Sequence, residues 1–184
     1  MEFLIAGIVL FVIIHLVPSS AGFRRKLIIS IGDVPYKGLF SVISLTGLIL
    51  IIYGKYIADF QSVWAPPAWG SKVTVVLMLL SFIFLAAANM KSNLTRFTRH
   101  PMLWGVTFWS VAHLSANGDL TSILLFGSFA VFSLIAMLSA NLRGAKKKST
   151  KQPIILDVIV LIVGLLGYVT FVFLHPYLFG VSVI

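Results

Sequence analysis

The chain contains no cysteine, which excludes disulfides, thiolate metal ligands and a cysteine nucleophile and leaves the redox compartment unmarked by sulfur chemistry. Charge is nearly as scarce. Only 10% of the 184 residues are charged, against roughly 25% in an ordinary soluble domain. In place of charge the chain has apolar residues, at 59% of the total, and a mean hydropathy of +1.05. This is the composition of an integral membrane protein, with the length of one small bundle of spans.

Six segments reach or approach the roughly 20 residues that a helix needs to cross about 30 Å of hydrocarbon. They are residues 2–18, 37–58, 72–90, 101–117, 120–141 and 154–175. The expected fold is all-α: a polytopic integral membrane helical bundle of about six transmembrane helices, one domain over residues 1–184. The first segment is too long for a typical signal peptide and lacks preceding positive charge, since only Glu2 stands before it and Arg24, Arg25 and Lys26 follow it.

The basic residues are unevenly placed. Arg24, Arg25, Lys26 and Lys37 follow the first segment, Lys91, Arg96 and Arg99 the third, and Arg143, Lys146, Lys147, Lys148 and Lys151 the fifth, leaving Lys55 and Lys72 on the other side. Such a split over short loops predicts that the basic side is cytoplasmic, with both chain ends on the non-cytoplasmic side of a bacterial inner membrane. The formal net charge of +9 is thus a topology signal. Nucleic acid is not an expected partner, because binding it would require a basic soluble face and no segment remains to build one.

The connections are short. Residues 19–35, "SSAGFRRKLIISIGDVP", mix basic and apolar side chains in the manner of a segment lying along the cytoplasmic interface. In "WAPPAWG", residues 64–70, two prolines end a helix and two tryptophans suit the headgroup layer. "RGAKKKSTK", residues 143–151, reads as a solvated loop. Asp119, after "SANG", is placed to cap the fifth span, a task that serine also performs.

Four histidines remain. An ionisable side chain inside a membrane is a functional candidate because burying it alone is expensive. His15 has Phe11 and Ile8 on its helical face, and His113 has Trp109 and Val106. A neutral imidazole on such a face is a good ligand for iron or zinc. Two histidines do not complete a tetrahedral zinc site, whereas haem needs only one or two axial residues and buries a large apolar ring. His100 and His175 each precede a proline at a helix end. Counting residues along the spans sets His15 and His113 about 8 Å apart in depth, at 1.5 Å per residue. His15 and His100 are separated by a similar depth, so depth alone leaves the pairing open.

The stretches "HLVPSS" at 15–20, "YKGLFSVISLTGLILIIYGKY" at 36–56, "WAPPAW" at 64–69, "RHPMLWGVTFWSVAHLSANGD" at 99–119 and "LFGVS" at 178–182 together resemble the NnrU family of small bacterial membrane proteins. That family is similar to 15-cis-zeta-carotene isomerase. The resemblance implies haem b held by two axial histidines, which fall by motif on His15 and His113 as metal ligands, with Phe11 and Trp109 as apolar surroundings; the histidine of the histidine-proline pair falls on His100, a possible additional ligand. It also implies an accessory or haem-handling role linked to nitrite and nitric oxide metabolism. Two alternatives stand beside it. One is a haem-dependent cis-trans isomerase of a carotenoid-like polyene or other lipid; the other is a cofactor-free structural or transport-like bundle in which His15, Asn89 and Ser110 make helix contacts. Expected partners are membrane lipid, an apolar polyene or lipid substrate, and other membrane proteins.

Overall fold

The computed structural model describes residues 1–183 and is all-α among those residues. Its helices are α1 (Glu2–Leu16), α2 (Ala21–Ile31), α3 (Asp33–Ile57), α4 (Gly70–Asn89), α5 (Leu94–Phe97), α6 (Pro101–Ala116), α7 (Leu120–Leu142) and α8 (Ile154–Phe179), with a 3-10 turn at Val17–Ser19. Among the described residues, α1 with its turn, α3, α4, α7 and α8 are long and apolar enough to cross a membrane. The remaining expected span, residues 101–117, is shorter. With 16 residues, α6 rises about 24 Å. It nevertheless runs antiparallel to α4 along its length, since Ser81 Oγ donates to the Gly105 carbonyl at 2.8 Å and Thr74 Oγ1 to the Ala112 carbonyl at 2.8 Å.

The sequence-based boundaries agree closely with the helices. The two largest differences are equal: α3, expected to begin at 37, begins at Asp33, and α8, expected to stop at 175, continues through Pro176 to Phe179 and ends at Gly180 in the left-handed region with φ 71°. Proline forfeits one amide donor, but here the helix runs only three residues further before glycine closes it.

The spanning helices are neighbours in the order α3, α1, α7, α6, α4, α8. Lipid tails are as apolar as leucine, so helices in a membrane associate through close packing and interhelical hydrogen bonds rather than by escaping water. Glycine permits the closeness: a Cβ on Gly7 of α1 would lie 2.7 Å from the Ile51 amide nitrogen of α3, and one on Gly164 of α8 would lie 2.8 Å from Ile83 Cα of α4. Leu4, Ile51, Leu125 and Phe126 form a small buried cluster, with Phe11, Trp109 and Phe129 packed against it. Large apolar side chains elsewhere, such as Ile49, Leu138 and Leu166, are exposed, as a lipid-facing surface requires.

The basic connections gather at one end of this array. Arg143 donates to the Ser19 carbonyl at 2.7 Å, Arg99 to Asn141 Oδ1 at 2.9 Å, and the Lys148 amide to the Thr95 carbonyl at 3.2 Å. At the opposite end, residues 61–64 lie against the α6–α7 turn: Val63 and Trp64 amides donate to the Gly118 carbonyl at 2.9 and 3.2 Å, and the Leu120 amide to the Gln61 carbonyl at 2.9 Å. Gly118 is required by this approach, because a Cβ there would overlap the Trp64 carbonyl oxygen.

Candidate functional site

α1 and α6 each place a histidine four residues after an aromatic residue, on the same helical face. His15 Nδ1 donates to the Phe11 carbonyl at 2.7 Å and its ring stacks on Phe11 at 4.0 Å between centroids. Phe40 of α3 and Phe132 of α7 meet the same imidazole edge-on, at 5.1 and 6.2 Å. His113 repeats the arrangement. Its Nδ1 donates to the Trp109 carbonyl at 2.9 Å and its ring stacks on Phe126 of α7 at 4.3 Å.

A carbonyl oxygen only accepts, so both bonds assign the proton of a neutral imidazole to Nδ1 and leave a lone pair on Nε2. Among the described residues neither Nε2 has a hydrogen-bond partner. Metal-binding histidines commonly carry this arrangement, with the second ring nitrogen anchored to a carbonyl or carboxylate. Each ring thus keeps one nitrogen lone pair among aromatic side chains, the donor chemistry of a metal-binding imidazole.

α7 acts as a ruler for depth. His113 meets Phe126 and His15 meets Phe132, a separation of six residues or about 9 Å along the axis. Between them stands Phe129, with its ring 5.3 Å from Phe11 and 5.6 Å from Trp109. Metal–imidazole bonds are about 2 Å long, so two axial nitrogens on one iron lie about 4 Å apart. The arrangement sets His15 and His113 along one aromatic wall, against α7 positions further apart than that distance.

The other two histidines differ from each other. His100 Nε2 is bonded to Asn141 Oδ1 at 3.0 Å; Asn141 lies nine residues beyond Phe132, about 13 Å along α7, so His100 is further from His15 in depth than His113 is. His175 donates Nδ1 to the Val181 carbonyl at 2.7 Å and packs on Phe179. Among the described residues no group of three or more histidine and acidic side chains is arranged to hold a metal ion.

The polar contacts between helices fall on other residues than those expected. Asn89 Nδ2 bonds the Leu85 carbonyl of its own helix, His15 likewise bonds its own helix, and Ser110 Oγ is buried without a partner among the described residues; Thr74 and Ser81 make the α4–α6 bonds. The reason is geometric. An i−4 carbonyl is always within reach of a polar side chain in a helix, whereas a bond to the next helix needs a small-residue contact such as Gly105 or Ala112 to bring the backbones together.

A second polar cluster was legible only in part. Asp119 caps α7 as expected, its Oδ1 accepting from the Ser122 amide at 2.9 Å. The same oxygen also receives Lys55 Nζ of α3 at 2.8 Å, while Lys55 donates further to Thr121 Oγ1 and to Ser122 Oγ at 2.8 Å. Burial pushes the Asp119 carboxyl up, but the Lys55 ammonium and the Ser122 and Thr121 donors outweigh it and hold the group well below the usual carboxylate range. Lys55 was available as a signal: it is a cation near the end of a span on the charge-poor side, where an unpaired charge is costly. With its donors satisfied and its charge fixed by Asp119, this cluster is a clamp between α3 and α7.

Comparison with known proteins gives one result at the family level. A family model described as NnrU protein matches residues 3–183. No curated protein and no solved structure matches the chain.

Proposed function

The chain belongs to the NnrU protein family, and from that membership and the two free imidazole nitrogens we propose a membrane-embedded haem b-binding protein. Its role in this reading is accessory or haem-handling, linked to nitrite and nitric oxide metabolism as the sequence resemblance implies. His15 and His113 are the axial candidates, and Phe11 and Trp109 supply apolar flanks. The observation carrying the proposal is the shared anchoring of both Nδ1 atoms to i−4 carbonyls, which presents two Nε2 lone pairs along one aromatic wall. A bound haem would supply one-electron iron chemistry there. The protein supplies ligand orientation and a low-polarity setting. Ligation of one iron by both rings requires Phe129 to leave its place between Phe11 and Trp109.

Absorption spectroscopy and haem stoichiometry of protein purified from haem-sufficient cells test this reading. The expected native spectrum is low-spin, markedly weakened in His15→Ala and in His113→Ala and little changed in His100→Ala. Loss in His113→Ala and His175→Ala with retention in His15→Ala would move the second ligand to α8. A folded, membrane-extracted sample with no haem and no uptake of added haem would reject the proposal and leave the imidazoles as structural residues. Conversion of a cis-polyene by the haem-loaded protein in lipid would instead favour the isomerase alternative.

A further inference from the structure

Two cavities adjoin at the basic end of the array and border the His15 surroundings through Phe40. One, of about 250 Å³, is lined by Pro18, Arg24, Tyr36, Lys37, Phe40 and Ser41. The other, of about 270 Å³, shares Pro18 and Arg24 and adds Arg25, Ile28 and Ile29. The lining thus combines cationic and apolar side chains.

The polar groups here are under-used by the protein. Arg24 has its guanidinium 5.9 Å from the centre of the Tyr36 ring, and among the described residues neither Arg24 nor Arg25 pairs with a carboxylate. Lys37 pairs with Asp33 at the exposed rim, a weak and screened contact. Tyr36 is 6% exposed and its hydroxyl is buried with no hydrogen-bond partner among the described residues. A buried hydroxyl without a partner costs free energy that a bound acceptor would recover.

α2 carries the arginines in a setting suited to a membrane surface. It contacts α3 and the Val17–Ser19 turn, and Phe23 and Ile29 are exposed on it. Basic residues beside exposed apolar ones mark a helix lying at the headgroup boundary.

We propose that this double cavity between α2 and the start of α3 is a binding site for the phosphate of an anionic membrane lipid. Arg24, Arg25 and Lys37 neutralise the phosphate, the Tyr36 hydroxyl donates to one of its oxygens, and Phe40, Ile28 and Ile29 line the path of an acyl chain. Arginine suits this task because its planar donor fork matches phosphate oxygens.

The test uses the full chain in nanodiscs of phosphatidylcholine doped with phosphatidylglycerol, with retained lipid read by native mass spectrometry. Phosphatidylglycerol should be retained in preference to phosphatidylcholine. At about 1 kcal/mol per cation, Arg24→Gln/Arg25→Gln should weaken retention about thirtyfold. Tyr36→Phe, which removes a hydroxyl that holds nothing else, should weaken it about tenfold. Lys146→Gln/Lys147→Gln/Lys148→Gln removes three cations from the same end, outside the cavities, and should leave retention nearly unchanged. Helical content and melting are followed throughout, and Tyr36→Phe decides the matter if the arginine variant does not fold. An equal loss in the triple-lysine variant, or no loss in Tyr36→Phe, would overturn the site in favour of general charge attraction. Saturable binding of inorganic phosphate that phosphatidylglycerol does not displace would overturn the lipid assignment.

Discussion

Replacing Asp119 with serine separates two tasks that this side chain performs together. Serine caps a helix about as well as aspartate, so the bond to the Ser122 amide has a substitute and helix capping changes little. The ion pair with Lys55 has none. A hydrogen bond to a charged group contributes about 1.5–3 kcal/mol, and Lys55, with 35% of its side chain exposed, is partly screened by solvent. The expected cost is about 1–2 kcal/mol, or a fall of about 3–6 °C in melting temperature at this chain length. The assay is thermal unfolding in detergent for wild type, Asp119→Ser, Lys55→Met and the double variant, with the cycle isolating the pair. Acidification supplies a second readout. Because the folded carboxyl is held below its unfolded value, the unfolded state binds the proton first on acidification, so the stabilisation is complete above the ordinary carboxylate range, near pH 3.9, and is lost as pH falls below it. The advantage of wild type over Asp119→Ser should therefore persist from pH 7 to 5 and shrink at lower pH. A serine variant as stable as wild type, with no coupling to Lys55, would refute the clamp and reduce Asp119 to a cap.

Gly118→Ala should destabilise the protein by about 2 kcal/mol or more through backbone overlap with Trp64, while Gly127→Ala, whose added Cβ meets nothing within 4 Å, should melt as wild type does; equal melting of the two variants would remove the close-approach argument. Topology reporters placed after Ile184 and within residues 143–151 should report opposite sides of the membrane, with the 143–151 reporter cytoplasmic, and a fusion after Ile184 active only in the cytoplasm would overturn the charge-based orientation.

The sequence by itself determined the helices. A backbone in lipid must satisfy its own hydrogen bonds, so each long apolar segment becomes a helix, and its limits are set by punctuation such as Pro101 opening α6 and Asp119 before α7. The same local logic singled out His15 and His113 as candidates with their i−4 aromatic neighbours, whose Nδ1 contacts to Phe11 and Trp109 the fold shows. Neighbour relations were beyond its reach. Nothing periodic in the spans specifies that α7 lies between α1 and α6, that Phe129 stands between Phe11 and Trp109, or that Lys55 reaches Asp119 across 64 positions. The physical reason is that helix–helix association in lipid depends on shape and on the few polar atoms able to meet across a contact. Hydropathy marks which residues enter the membrane, but only the tertiary structure decided which of them touch.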